Sequence, residues 1–182
     1  MNLLSFLRTQ VCANRLANHR LHAAMVHLST DDLHAPRTSF FPSLAATLDH
    51  ILLVDGYYLD CLQGRGDARA RALAWVPRST LAALATEQAA SDQRFIALMD
   101  AATAADLDRI VEMPRHDHVQ REPLGNVVAH LLNHQVHHRG QAHAMLAGTA
   151  VAPPQLDEFL MSSEAHLRQA DLAALGLSLI HI

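Results

Sequence analysis

The chain has 182 residues, enough for one domain with a sizeable core, and half of them are hydrophobic while only 18% are charged, which excludes a disordered chain. A formal net charge of -4 without any Lys/Arg run argues against an electrostatic nucleic-acid surface. No uninterrupted apolar stretch has the length needed to cross a bilayer.

Ala- and Leu-rich periodicity predicts helices at about 2–28, 43–63, 79–102, 123–147 and 155–171. The start, Met1-Asn-Leu-Leu-Ser-Phe-Leu-Arg, lacks the basic residues and long apolar core of a signal peptide, so a cytoplasmic location is expected. Cys12 and Cys61 lie inside two different helices, too far apart for a zinc or redox motif, and read as small core residues. His19, His22, His27 and His34 cluster in and just after the first helix, where they can create adventitious surface metal sites.

Pro36 and Pro42 bracket the first connection. On the second helix the polar side is marked by Asp49, Gly56 and Asp60. His50 falls about 80° from the centre of the opposite, apolar face and Asp55 about 60° from it on the other edge, so geometry alone does not choose between them as site residues. Gly64, Gly66 and Pro77 interrupt the next stretch, where Arg65, Arg69 and Arg71, separated by Asp67, read as a solvated loop. Pro114 and Pro123 mark the third connection, and Ile110-Val-Glu-Met with His118 to Arg121 is expected to form a short hairpin.

The fourth long helix carries the strongest signal. At about 100° per residue, His134 and His138 lie about 40° apart, on one stripe with Val127, Leu131, Ala142 and Met145. A buried imidazole must hydrogen-bond or bind a metal, and an i, i+4 pair is the usual way to offer two nitrogens to one divalent ion. The zinc-protease pattern H-E-x-x-H has a Glu as general base, whereas Gln135 stands there, and an amide cannot take a proton from water. A pair of hydrogen-bonded core histidines is the bland alternative. His130 and His137 sit on the border of the stripe and His143 faces away, which reads as solvated or interface positions; Arg139 points toward a neighbouring helix or subunit. Gly140 suggests close approach of another backbone, and Gln141 is placed to hydrogen-bond a bound water or ligand.

Asn133, His134, His138, Arg139, Gly140 and Gln141 make the pattern N-H-x-x-x-H-R-G-Q, which resembles the fourth helix of the DinB/YfiT-like family of metalloenzymes. Cys12-Ala-Asn-Arg-Leu is similar to that family's aromatic-Ala-Asn-x-x-Leu segment, with Cys12 where Trp is usual. Leu48-Asp-His-Ile-Leu-Leu-Val-Asp55 resembles its second-helix L-x-H-x-x-x-x-D segment, followed by Leu62-Gln-Gly64, and Ala152-Pro-Pro-Gln-Leu-Asp-Glu-Phe-Leu160 resembles its closing segment.

The resemblance implies an all-α, antiparallel four-helix bundle with an additional C-terminal helix, as a single domain over residues 1–171. It implies a divalent metal ion, Zn, Ni or Fe, held by His50, His134 and His138, with Asp55 and Gln141 as candidates to orient a ligand or a bound water. It also implies transfer of a low-molecular-weight thiol to or from a small-molecule substrate, and frequent homodimers; the almost wholly apolar second helix, with Leu53 and Gly56 toward its polar side, points to association as well. Two other classes stay open: a metal-dependent hydrolase with Asp55 as base, and a non-catalytic stress-related metal-binding protein closed by a fourth ligand such as His130. The tail 172–182 lies beyond the family's usual end, and Leu177 to Ile182 resembles the translation of a sequencing adaptor, so no functional role is expected of it.

Overall fold

The computed structural model describes residues 2–157 and 161–177. Its four long helices are α1 (Leu3–Ala24), α3 (Leu44–Leu62), α5 (Leu81–Ala101) and α6 (Leu124–Leu146). Three short ones, α2 (Thr30–His34), α4 (Ala68–Leu73) and α7 (Ala165–Leu175), one hairpin, β1 (Ile110–Pro114) with β2 (Val119–Pro123), and three single 3-10 turns at Met25–His27, Ala105–Asp108 and Ser162–Glu164 complete the described elements. None of the helices in the described residues is long and apolar enough to cross a membrane.

Local chemistry sets the helix starts. Side chains of Asn2, Ser43 and Thr80 accept from the backbone N–H three residues on, at 2.9, 3.2 and 3.2 Å, capping α1, α3 and α5. The α6 start has no side-chain cap; instead Leu124 N–H donates to the Arg109 carbonyl at 2.8 Å, tying the helix to the chain entering β1. The hairpin is antiparallel, pairing Ile110 with Pro123 and Pro114 with Val119, and turns Val111 and Met113 inward.

α1 packs on α5 and α6, and α3 packs on the same two, so the four long helices surround one interior. That interior is not uniformly apolar. One core cluster gathers Leu7, Val11, Leu59, Phe95, Met113 and Val128; the other gathers Leu21, Met25, Leu48, Leu52, Leu84 and Leu146. Between them each long helix contributes buried polar side chains: Asn14 and Asn18, Asp55, Gln88 and Asp92, Gln135 and Arg139.

Several expectations are corrected. The polar side of α3 does not face water: Asp49 accepts from Trp75 Nε1 (2.9 Å) and Arg78 N (2.7 Å), and Asp60, 2% exposed, is ringed by Arg65, Arg71 and Arg94. The arginine stretch is therefore not a solvated loop but includes α4, whose Ala68 is buried and which packs on α3. No neighbouring atom lies within 4 Å of a Cβ built on Gly140, so no backbone approaches it. The C-terminal helix begins at Ala165, not 155, and extends past 171 to Leu175, where Gly176 ends it with a left-handed φ of 64°. Leu172 is buried against Leu16 and Ala17 of α1, so this turn belongs to the packed domain. Residues 158–160 of the closing segment and 178–182 of the tail lie outside the described residues.

Candidate metal centre

His134 and His138 project from one face of α6, one turn apart, toward His50 on the packed face of α3. Ring nitrogens of all three lie within 4.8 Å of one another, and the ring centroids are 4.4 to 5.1 Å apart. His50 Nε2 and His134 Nε2 face each other at 3.1 Å. His138 is buried and the other two half-buried, and among the described residues neither a carboxylate nor a thiol belongs to the cluster.

The environment favours neutral rings. Burial lowers the pKa of all three, and repulsion among the imidazoles adds to it, taking His134 down to about 3. Gln141 Oε1 lies 2.9 Å from His138 Nδ1, so an N–H there leaves the Nε2 lone pair for the cluster. His134 Nδ1 is buried without a protein partner. The connection after α2 brings an aromatic wall that the proline-bounded loop of the sequence did not disclose. Phe41 lies 4.3 Å from the His50 ring and 5.5 Å from that of His138, and Phe40, 78% exposed, covers His138 at 6.4 Å.

Of the two residues named as candidates to orient a ligand, Gln141 meets His138 Nδ1. Among the described residues Asp55 makes no hydrogen bond to an imidazole. Its Oδ2 accepts from Gln88 (2.9 Å), Ser91 (3.4 Å) and Gln135, inside the polar layer. Gln88 Nε2 also donates to Asp92 (3.1 Å), which accepts from Asn18 (3.0 Å). Arg139 is buried here and reaches the neighbouring α1, donating to Asn14 Oδ1 (2.6 Å) and Asn18 Oδ1 (2.9 Å). His130 and His137 are exposed as expected, and His143 hydrogen-bonds the Pro154 carbonyl at 2.9 Å.

Burial raises Asp55 to about 7 and Asp92 to about 6, so the folded protein holds protons that the unfolded chain has released. The stability from these groups is fully present below about pH 4 and is lost as pH rises to 6–7. The depressed histidines act oppositely, contributing stability above pH 6.5 that is lost toward pH 3. The Asp55→Asn variant isolates the first effect. Its stability relative to wild type should rise by at least about 1 kcal/mol between pH 4 and 7 in urea melts; a flat difference would contradict the assignment.

A helical protein that draws three neutral imidazoles together from two long helices belongs to the class whose interior can hold a divalent ion. The family model for the DinB family matches residues 6–170, and the chain belongs to that family. It is 24% identical over 158 residues to Protein DinB of Bacillus subtilis (strain 168), a match covering 83% of this chain and 91% of that one.

Proposed function

We propose that the chain is a cytoplasmic four-helix-bundle metalloprotein in which His50, His134 and His138 hold a divalent ion, and that it transfers a low-molecular-weight thiol. The convergence of three imidazole nitrogens within 4.8 Å carries this reading. All three rings are held neutral, as ligands must be, and the donor set suits Zn, Ni or Fe. A divalent ion bound there would lower the pKa of a thiol and supply a thiolate at neutral pH.

The chain's own residues favour thiol over water as nucleophile. Activating water calls for a base, and Asp55, the one candidate, is 2% exposed and hydrogen-bonds no imidazole, its Oδ2 being held by Gln88, Ser91 and Gln135 in the polar layer. The protein's cysteines cannot supply the sulfur, because burial pushes Cys12 up to about 11 and raises Cys61 as well. The thiol must therefore come from outside. Gln141 orients His138, and Phe40 with Phe41 shields one side of the cluster from water.

Cobalt-loaded protein titrated with a small thiol should develop a sulfur-to-metal charge-transfer band, and its absence with every thiol tried would remove the thiolate reading. Stripping the metal should lower the melting temperature by roughly 5–10 °C, from about 2.7 kcal/mol of linkage at a hundredfold excess over Kd. An unchanged melting temperature would speak against a resident ion.

A further inference from the structure

All fourteen cationic side chains apart from histidine are arginine, and most of those near an acid are paired with it. Arg69 and Arg115 are exceptions that line one groove of about 370 Å³, together with Tyr57, Tyr58, His130 and His134. No carboxylate of the described residues lines it. Among the described residues neither arginine has an acidic partner; the Glu122 carboxylate accepts from Gln120 (3.3 Å) and makes no ion pair with Arg115.

Arg115 is also held in place. Its Nη2 donates to Tyr58 Oη (3.1 Å) and to Gln120 Oε1 (2.9 Å), and its guanidinium lies 5.4 and 5.6 Å from the ring centres of Tyr57 and Tyr58. Tyr57 is anchored in turn by its hydroxyl to the Pro114 carbonyl at 2.7 Å. A planar fork fixed in this way is organised to receive an oxyanion before any ligand arrives. The Tyr58 ring lies 5.2 Å from that of His130, which precedes His134 by one helical turn, about 6 Å along the axis. Arg115 and His134 thus line one groove whose volume suits a small molecule.

We propose that this groove binds the carboxylate end of an anionic small-molecule substrate, with Arg115 and Arg69 as its counter-ions and the substrate's other end directed at the histidine cluster. This rests on the metal-site reading for the orientation of the ligand, but not for the anion contacts themselves. In a chain of net charge -4, an acid-free groove with two unpaired arginines repels little and attracts anions specifically.

The test uses two thiols of equal length, 6-mercaptohexanoate and 6-mercaptohexan-1-ol, titrated calorimetrically into metal-free and cobalt-loaded protein. The acid should bind at least roughly tenfold tighter than the alcohol in both forms. Arg115→Met should remove most of that preference and Arg69→Met part of it, while Arg115→Lys, which keeps the charge, should retain some. Arg69 lies on the short α4 with no hydrogen bond to lose, so its variant keeps the test readable if Arg115→Met does not fold. Equal binding of acid and alcohol, a preference that survives in the double variant, or no binding of either would overturn the proposal. A charge-transfer band formed equally by both thiols would keep the thiolate reading while removing the groove. Acid-selective binding without a band would do the reverse.

Discussion

His134→Ala and His138→Ala should each weaken divalent-metal affinity by more than 100-fold in competition with a chromophoric chelator. Even groups that only orient a metal ligand cost 10–100-fold when removed, so a ligand itself costs more. His50→Ala should show a comparable loss, because its Nε2 lies 3.1 Å from that of His134 and no fourth donor among the described residues belongs to the cluster. His143→Ala should bind metal as wild type does, since that ring is turned to the Pro154 carbonyl. A tight equivalent retained by the His134/His138 double variant would assign metal binding to other histidines, such as those near His19.

Arg139→Met should destabilise the fold by about 3–5 kcal/mol, the usual cost of removing one partner from a buried charged network. Arg139 is 7% exposed, and burial brings its pKa down to about 10 despite the opposing pull of Asp92 and Asp55. Without it, Asn14 loses its guanidinium donor and Asn18 Oδ1 loses another, and Asp92 loses the nearest compensating charge. Adding Asp92→Asn should restore part of the loss, because the uncompensated carboxylate then disappears. A single-variant loss below about 1 kcal/mol in urea melts, or no recovery in the double variant, would show that the polar layer is not energetically coupled.

The long helices, the hairpin and the histidine pair were legible because each has a local signature. Apolar periodicity marks the helices, a proline ends each strand of the hairpin, and an i, i+4 spacing sets His134 above His138. His50 was ambiguous on its own helix, as an edge residue becomes a site residue only when a second helix packs beside it. The polar layer does leave a trace in the sequence: Asn14 with Asn18, Gln88 with Asp92 and Gln135 with Arg139 are each four residues apart on otherwise apolar faces. Read singly they look like surface positions; read as matched pairs on three helices, they mark one shared layer. Asp49 and Asp60 misled for the opposite reason. Their partners Trp75, Arg71 and Arg94 come from α4, the segment after it and α5, and only tertiary packing turns a polar stripe into a buried one. Phe40 and Phe41 lie in an irregular connection, where periodicity carries no information about facing.

The central claim is that His50, His134 and His138 together hold the ion, and crystals grown with cobalt or zinc test it directly through anomalous difference density at the metal edge. The account predicts one dominant peak about 2.0–2.2 Å from a ring nitrogen of each of these three residues, with any protein-derived density beyond them absent from the coordination sphere. A dominant peak at the histidines of α1, or an empty cluster alongside metal bound elsewhere, would contradict it.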